Sequence, residues 1–279
     1  IPKAFRNSKM GKEREFRAAR CQRPLLQPTD SFDKDWRASH SQLLSYFYKR
    51  KKLDLMAALP RVILFDLDGT LLDTAPELER CINDLRERYG FSVLPPDIVR
   101  NQVSKGSKKI VELGFPHVTN ASEIELLRQE FLELYEGNIG NHTTLFPGIE
   151  EVLKAIESTE RVWGIVTNKI TSLTNPLLAK LKLSQRAGCI ISGDTTAHYK
   201  PHPEPLYAAM NTLQAEPSEC IYIGDDERDI VAANAAQMKA IVALYGYIDP
   251  TDKPSLWKAD RSIDSPLDLL VDLAESPDE

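Results

Sequence analysis

Two aspartates separated by one residue are of a type and spacing that nucleophilic and acid–base catalysis can use. Asp66 and Asp68 lie in "VILFDLDGTLLDT" (62–74), where they follow an apolar run and precede a glycine. One carboxylate can act as a nucleophile that forms an aspartyl-phosphate, and a second one in reach can supply and later remove a proton. Taken alone, the same pattern is also typical of a turn followed by a helix cap. The other polar residues of the chain distinguish these two interpretations.

Residues that phosphoryl chemistry can use also accompany three later strand-like segments. They are Thr167 and Asn168 at the end of the second strand, Lys200 in the loop after the third, and Asp225, Asp226 and Asp229 after the fourth. The neutral donors and the lysine can hold phosphoryl oxygens, whose charge must be stabilised in the transition state. Several carboxylates in one cleft repel each other unless a hard cation, typically Mg²⁺, offsets their charge. The set therefore predicts a phosphoryl site with a bound Mg²⁺.

From residue 57, strand and helix patterns alternate, which indicates an α/β fold with a parallel sheet. The apolar run at 62–65 is typical of a buried parallel strand rather than of an alternating surface strand. Ligands of such sheets bind at the carboxyl ends of the strands, so the polar residues are expected to converge at one edge. The predicted strands are 62–65, 161–168, 189–192, 220–224 and 239–244, and the predicted helices are 76–89, 172–181, 203–213, 228–236 and 266–274.

Between the first helix and the second strand, the patterns are helical only. "SKKIVELGF" (107–115) is short and amphipathic, and "SEIELLRQEFLELYEGN" (122–138) runs from a serine cap to a glycine stop. We therefore predict a helical cap domain at 80–145, inserted over the edge of an α/β core formed by 57–79 and 146–279. Asp73 is interpreted as a cap of the first helix and not as a catalyst.

The composition is that of a globular protein without a membrane span. Of the 279 residues, 42% are hydrophobic and 27% charged, which is enough for one sizeable core and a smaller accessory unit. No apolar run approaches the roughly 20 residues of a membrane helix, and no signal-peptide segment is recognised near the start. The four cysteines are scattered without a C-x-x-C pair, which argues against a zinc site or a disulfide framework. These features predict a cytoplasmic protein.

Residues 1–56 differ in charge from the rest of the chain. They hold 14 Lys+Arg against 6 Asp+Glu, whereas residues 57–279 hold 21 against 35. Weak periodicity and few aliphatic residues predict a basic, partly disordered extension with no catalytic role. A basic arm that binds nucleic acid or anionic lipid is the less favoured alternative, because solvated charge runs are common. The chain begins at Ile1 rather than methionine, and Met56 stands just before the first strand, so the segment is expected to be an upstream overread or a leader.

Four motifs in order carry a family resemblance. "DLDGT", "VTN", "YKPHPEP" and "GDDERD", with a helical insertion after the first, resemble the haloacid dehalogenase (HAD) superfamily of phosphatases over about residues 60–274. The resemblance implies a Rossmann-like parallel core with a helical cap. It also implies that Asp66 is the nucleophile, that Asp68 is the general acid/base, and that Lys200 orients and neutralises the nucleophile and the phosphate. Thr167 would bind the phosphoryl group, with Asn168 beside it.

The same resemblance assigns the metal site. Mg²⁺ would be held by the carboxylates of Asp66 and Asp225 and by the backbone carbonyl of Asp68. Asp229 would be a supporting acid near the metal or Lys200. Asp226 stands where many relatives have serine or threonine, so the resemblance leaves its role open.

The cap is expected to choose the substrate. The helical insertion, "VTNK" and "KPHPEPL" resemble phosphoglycolate phosphatases, and "YGYIDPTDKPSLWKAD" (245–260) resembles relatives that act on N-acetylmuramic acid 6-phosphate in bacterial cell-wall recycling. Both substrates are small phosphate esters that carry a carboxylate. Ser104, Lys105 and Ser107, in the segment "QVSKGSKK" (102–109, the cap loop), are predicted to meet that carboxylate or substrate hydroxyls. The alternative for Lys105 is a solvated helix start.

Particular residues and motifs, present or absent, distinguish the alternative functions. Hydrolytic dehalogenases of the superfamily lack the second aspartate, transport ATPases require membrane helices, and a P-loop kinase would need G-x-x-x-x-G-K-[ST], which is absent. A sugar-phosphate phosphomutase stays open, because it shares the aspartyl-phosphate and differs in what accepts the phosphoryl group. A catalytically inactive binding module is disfavoured by the full acidic set. The predicted partner is a small phosphate ester, with no nucleic acid and no membrane, and the predicted state is a monomer or homodimer.

Overall fold

The computed structural model describes residues 60–271 of the chain. The predicted basic extension at 1–56 and the last residues of the helix predicted at 266–274 lie outside the described residues. Within residues 60–271, no helix is long and apolar enough to cross a membrane.

A six-stranded parallel sheet forms the centre of the described part of the chain. In chain order, the strands are β1 (Val62–Phe65), β2 (Leu72–Asp73), β3 (Thr144–Leu145), β4 (Val162–Val166), β5 (Ile190–Ile191), β6 (Cys220–Gly224), β7 (Lys239–Ala243) and β8 (Arg261–Ile263). The sheet order is β5-β4-β1-β6-β7-β8, and β2 pairs with β3 in a separate antiparallel ribbon. Every neighbouring pair in the large sheet is parallel. The predicted α/β class with a parallel sheet is confirmed.

Along the chain, the α-helices lie between strands of the large sheet and after its last strand. They are α1 (Ala75–Arg88), α2 (Pro96–Arg100), α3 (Ser107–Gly114), α4 (Ala121–Asn138), α5 (Ile149–Glu157), α6 (Thr171–Lys180), α7 (Glu204–Leu213), α8 (Glu227–Ala235) and α9 (Asp268–Val271). The predicted strands and helices are all present, with described ends shifted by at most two residues. The sequence patterns missed α2 and the strands β2, β3 and β8, which are too short to establish a period.

The central strand β1 has apolar side chains on both faces because helices cover both sides of the sheet. Ile63 and Phe65 belong to one buried cluster, which includes residues of α1, α5 and α6. Val62 and Leu64 belong to a second cluster, which includes residues of α7 and α8. Successive side chains of a strand point to opposite faces, so a strand between two helical layers is apolar at every position. This burial holds the carboxyl end of β1 in a fixed place.

The helices α1 to α4 lie in the chain between β2 and β3. Leu72 pairs with Leu145 and Asp73 with Thr144, so the chain leaves and returns to the core at one antiparallel ribbon. Helix α1 begins before residue 80 and runs into the predicted cap, and the cap boundaries at 80 and 145 stay predictions. Phe131 on α4 is fully buried in the same apolar cluster as the inner residues of α1 and α3. The cap helices therefore share an apolar core with α1.

Two predicted helix caps are wrong. The cap of α4 is Asn120, whose side chain accepts a hydrogen bond from the main-chain N–H of Ser122 at 2.8 Å. Asp73 caps no helix, because the residue after it occupies the N-cap position of α1. Its carboxylate instead accepts hydrogen bonds from Arg100 at 2.9 Å and from the Tyr247 hydroxyl at 2.7 Å. Asp73 thus joins α2 to the loop after β7.

Candidate active site

The carboxyl edge of the sheet brings the predicted residues together. Asp66 follows β1, Thr167 follows β4 and Asp225 follows β6, and these three strands are neighbours in the sheet. Lys200 reaches the same edge from the loop between β5 and α7. All four residues are at most 8% exposed. The polar groups therefore meet in a buried place, where their electrostatic interactions are stronger than in water.

Lys200 is surrounded by oxygen atoms. Its Nζ lies 2.7 Å from Asp66 Oδ1, 2.6 Å from Asp229 Oδ1, 2.7 Å from the Tyr222 hydroxyl and 3.0 Å from the carbonyl oxygen of Val166. Burial alone would lower the pKa of Lys200, but Asp229 and Asp66 outweigh it and raise the pKa above its usual value. The lysine is therefore a fixed positive charge beside the predicted nucleophile.

Asn168 holds the loop that carries this lysine. Its Nδ2 donates to the carbonyl oxygen of Lys200 at 3.0 Å, and its Oδ1 accepts from the main-chain N–H of Lys200 at 3.0 Å. Both polar atoms of the amide are thus bonded to one residue of the loop. Thr167, predicted beside it as a phosphoryl ligand, lines the cavity of the site and is 3% exposed.

Three buried carboxylates form a group that could hold a metal ion. Oxygen atoms of Asp66, Asp225 and Asp229 all lie within 4.8 Å of one another. Burial raises the pKa of Asp66 to about 7, although Lys200 lowers it, and burial together with the other two aspartates raises the pKa of Asp225 well above its usual value. Carboxylates crowded in this way resist ionisation unless a cation joins them. The all-oxygen donor set fits a hard divalent cation.

The turn after β1 is shaped around Asp225. Gly69 has a φ of +91°, and a Cβ at this position would overlap the Asp225 carboxylate. Asp225 Oδ1 accepts from Thr70 Oγ1 at 2.9 Å, and its Oδ2 accepts from the main-chain N–H of Tyr247 at 2.9 Å. The glycine and threonine of "DLDGT" therefore position a carboxylate that lies far away in the sequence.

Lys169 is a site residue to which the sequence analysis gave no role. Its Nζ lies 3.0 Å from Asp68 Oδ2 and 3.1 Å from Asp68 Oδ1, and it lies 4.7 Å from the centre of the Tyr135 ring. Burial alone would lower the pKa of Lys169, but Asp68 and Tyr135 together outweigh it and raise the pKa. Its position directly after "VTN" could have identified it as a site residue, because this position lies at the same strand end as Thr167.

Asp226 and Asp229 have distinct partners. Asp226 accepts from the main-chain N–H of Arg228 at 2.9 Å and from its guanidinium at 2.7 Å, and these contacts outweigh burial and lower the pKa of Asp226. Arg228 also donates to the carbonyl oxygen of Ser104, whose hydroxyl donates to Asp225 at 2.8 Å. Asp226 thus caps α8 and orients an arginine that holds the cap loop, whereas Asp229 contacts Lys200.

The cap loop contributes only part of its predicted set to the cavity. Ser104 and Ser107 line it. Lys105 does not: its Nζ lies 3.5 Å from Asp249 and 3.6 Å from Asp252, outside the cavity lining. Lys105 therefore lies outside the cavity lining in this structure, because two acidic residues of the segment after β7 attract its ammonium group, and its contact with a substrate stays a prediction.

A cavity of about 220 Å³ opens onto the aspartate pair. Its wall on the core side includes Asp66, Asp68, Thr167, Asn168 and Lys169, and its wall on the cap side includes one face of α4, formed by Arg128, Phe131, Leu132 and Tyr135. The α4 residues could not be predicted from the sequence, because a helical pattern does not show which face lies over the sheet edge. The site thus combines carboxylates, cations and an apolar wall.

Comparisons with known proteins identify the family. A family model of haloacid dehalogenase-like hydrolases matches residues 63–243, which is more than half of the chain. The chain belongs to this family. In this HAD hydrolase, the matched region runs from β1 to the end of β7 and contains all four motifs that carried the resemblance.

Relatives of this HAD hydrolase are phosphatases. The phosphoglycolate phosphatase of Xanthomonas campestris pv. campestris (strain 8004) is 42% identical over 210 residues, which cover 75% of this chain and 95% of that protein. The N-acetylmuramic acid 6-phosphate phosphatase of Pseudomonas putida is 38% identical over 209 residues, which cover 75% of this chain and 94% of that protein. A crystal structure of a predicted phosphoglycolate phosphatase from Haemophilus somnus 129pt has a TM-score of 0.68 at 26% identity, covering 76% of this chain and 96% of that one. The chain is therefore a HAD-family phosphatase.

Proposed function

We propose that this phosphatase is Mg²⁺-dependent and hydrolyses a small, carboxylate-bearing phosphate monoester through an aspartyl-phosphate on Asp66. The observation that carries the proposal is the buried group at the sheet edge, where Lys200 Nζ joins Asp66 and Asp229 beside the third carboxylate, Asp225. Such a group provides a nucleophile, a fixed cation and oxygen ligands for a metal at the mouth of one cavity.

The metal fits the donor set of the site. Asp66 and Asp225 would hold Mg²⁺ through their carboxylates, together with the backbone carbonyl of Asp68. When bound, the ion supplies positive charge that offsets the carboxylates and the phosphoryl oxygens. Asp229 supports the site through Lys200.

The proposed reaction has two steps, attack of Asp66 on the phosphoryl group and hydrolysis of the aspartyl-phosphate, and different residues serve each step. Lys200 orients Asp66 through Oδ1 and neutralises negative charge on the phosphoryl group during attack. Thr167 and Lys169 line the cavity where the phosphoryl oxygens would lie. Asp68 gives a proton to the leaving alkoxide and later takes one from the water that hydrolyses the aspartyl-phosphate. Buried contacts hold each of these groups in place before the substrate arrives, which lowers the cost of reaching the transition state.

The names of the relatives suggest two substrates. Two of them are named for phosphoglycolate and N-acetylmuramic acid 6-phosphate. Both esters combine a phosphate with a carboxylate, and the cavity presents cations from both the core and the cap. We infer that one of these esters, or one of the same chemical class, is the substrate, which would place the enzyme in carbohydrate metabolism or peptidoglycan recycling.

Replacement of the nucleophile tests the proposal. The full chain carrying Asp66→Asn should release no phosphate from either ester, because an amide cannot form the acyl phosphate, while its thermal unfolding stays cooperative. Asp194→Asn, which removes a carboxylate that caps α6 away from the cavity lining, should remain active. Mg²⁺-dependent turnover by the Asp66 variant would contradict the mechanism.

The acceptor of the phosphoryl group distinguishes the alternative functions. Water as acceptor gives free phosphate, whereas transfer to a second sugar phosphate would replace the proposal with a phosphomutase. Ligand binding without either reaction would indicate an inactive binding module. A cytoplasmic location, the lack of nucleic-acid and membrane partners, and a monomeric or homodimeric state stay predictions from the sequence.

A further inference from the structure

One face of α4 is polar at both ends and apolar between them. Arg128, Phe131, Leu132 and Tyr135 all line the cavity, and their positions follow the i, i+3, i+4, i+7 spacing of a single helix face. Seven residues of α-helix rise about 10 Å. The backbone positions of Arg128 and Tyr135 are therefore about 10 Å apart along the cavity wall, with the apolar side chains of Phe131 and Leu132 between them.

Tyr135 stands at the catalytic end of this face. It is 1% exposed, and its hydroxyl, which lies beside the Lys169 ammonium group, has no acceptor for its own proton among the described residues. Its ring lies against the Lys169 ammonium group, which pairs with Asp68. Burial raises the pKa of Tyr135 to about 12, so the hydroxyl keeps its proton at neutral pH. A buried donor without a partner is costly, and a ligand oxygen in the adjoining cavity would satisfy it.

Arg128 stands at the other end and carries a positive charge toward the cavity. Two of its nitrogens donate to Glu125 at 2.8 and 2.7 Å, which fixes the guanidinium, while its Nη1 lies 3.5 Å from Ser107 Oγ across the cavity rim. Among the described residues of the cap, Arg128 is the one charged side chain in the cavity lining. Since Lys105 turns to Asp249 and Asp252, Arg128 takes the position expected of the carboxylate-binding cation.

We propose that Arg128 and Tyr135 form a two-point subsite that selects substrates by length. Tyr135 donates to an oxygen at the phosphoryl end, and Arg128 binds a second anionic group about 10 Å farther along the helix. Phe131 and Leu132 contact the apolar face of the group between them. The subsite therefore takes a phosphate ester whose carboxylate lies across a sugar ring. This inference rests on the proposed hydrolysis of a carboxylate-bearing phosphate monoester at Asp66.

The two candidate esters differ in the distance between their phosphate and carboxylate groups, and the proposed subsite would distinguish them by this distance. In 2-phosphoglycolate, one carbon separates the ester oxygen from the carboxylate, so a phosphoryl group beside Asp66 leaves the carboxylate near the sheet edge. In N-acetylmuramic acid 6-phosphate, a sugar ring separates the phosphate from the carboxylate. Only the second ester can contact the core and Arg128 at the same time, so the subsite favours the amino sugar acid.

Kinetics of Arg128→Gln in the full chain test the distal contact. The substrates are N-acetylmuramic acid 6-phosphate, N-acetylglucosamine 6-phosphate, which lacks the carboxylate, and 2-phosphoglycolate. The variant should lose about tenfold to a hundredfold in kcat/KM for the first ester, through KM, because a charge-assisted hydrogen bond is lost. The other two esters should be unaffected. Lys109→Gln, which removes an exposed positive charge from α3, should match the wild type on all three.

Each other outcome has a definite meaning. An equal loss on the carboxylate-bearing and carboxylate-free sugars, or no loss at all, overturns the role of Arg128. A wild-type preference for 2-phosphoglycolate overturns the length selection. If the wild type hydrolyses none of the esters, the proposed function fails, and calorimetric binding of N-acetylmuramic acid 6-phosphate then decides the subsite. Weaker binding by the Arg128 variant supports it, and equal or absent binding overturns it.

Tyr135→Phe tests the proximal contact with two readouts. Loss of the hydroxyl should lower kcat/KM on all hydrolysed esters by about tenfold, since every ester has an oxygen at the phosphoryl end. The melting temperature of the free protein should equal or exceed that of the wild type, because the variant removes a buried donor that has no acceptor. A lower melting temperature with unchanged kcat/KM would assign the hydroxyl a structural role and overturn this contact.

Discussion

At the scale of single residues, the site is organised around Lys200. The ammonium group is 2% exposed and makes two contacts with carboxylates and two with neutral oxygens, so each proton that it can donate has an acceptor. A buried charge of this kind is stable only while its partners remain, because an unpaired charge in the interior is strongly disfavoured. Asp66 and Asp229 depend on the lysine in the same way. The lysine to which we assign a catalytic role thus also stabilises the fold.

Lys200→Met should lose both activity and stability. The substitution leaves Asp66 and Asp229 buried without their cation, so the free energy of unfolding should fall by about 3 kcal/mol. Urea unfolding in metal-free buffer measures this change, and phosphate release measures activity. Lys109→Met, at an exposed position on α3, should change neither. A stable Lys200 variant would show that the two aspartates are held by other contacts.

At the scale of elements, a buried carboxylate ties the end of the cap to α1. Glu77, which is fully buried, accepts hydrogen bonds from the main-chain N–H groups of Gly140 at 2.8 Å, Asn141 at 2.6 Å and His142 at 3.2 Å, and from Thr143 Oγ1 at 2.7 Å. Four donors from one segment converge on one side chain. Glu77 thereby sets where the chain returns from α4 to β3, and hence how the cap meets the core.

Glu77→Gln should weaken this junction. The amide keeps the shape of the carboxylate but places an NH₂ group opposite backbone donors, so the free energy of unfolding should fall by about 1–3 kcal/mol. Hydrogen exchange of the amides at 140–142 should speed up more than exchange in β1 or β6. Glu87→Gln, at an exposed position on the same helix, is the matched control. Uniform exchange across the molecule would contradict a local role for Glu77.

At the scale of the whole molecule, the group of three aspartates links metal binding to folding. Asp66, Asp225 and Asp229 come from the ends of two strands and from α8, so they are close together only in the folded chain. A ligand that binds the folded state alone stabilises it in proportion to the logarithm of its concentration. The proposed Mg²⁺ site should therefore be visible in thermal unfolding even without substrate.

Mg²⁺ should raise the melting temperature of the full chain through Asp225. At a concentration 100 times its Kd, the ion should add about 2.7 kcal/mol of stability, which corresponds to roughly 5–10 °C for a domain of this size. Asp225→Asn should lose the Mg²⁺-dependent shift, whereas Asp194→Asn should keep it. Thermal scans with and without MgCl₂ measure both effects. The same shift in the Asp225 variant would place the metal elsewhere.

The residues at the carboxyl edge of the sheet could be predicted from the sequence, because the patterns that indicate them are local. Each strand is a short apolar run, and the residue directly after it must lie at the carboxyl edge of a parallel sheet. Asp66, Thr167 and Asp225 are such residues, and the structure places them on adjacent strands. Lys200 was found through a motif, since its loop could not be placed from periodicity. These positions follow from chain connectivity and strand direction alone.

The cap side of the cavity could not be predicted in this way, because it depends on contacts between distant segments. The helical pattern of α4 is compatible with several orientations, and packing against α1 and α3 turns Arg128 and Tyr135 toward the sheet edge. Lys105 lies in the predicted loop, yet two acidic residues about 145 positions later in the chain direct it elsewhere. Local patterns specify which groups stand at the ends of strands, whereas the direction of a helix face or a long side chain is set by the partners that folding brings to it.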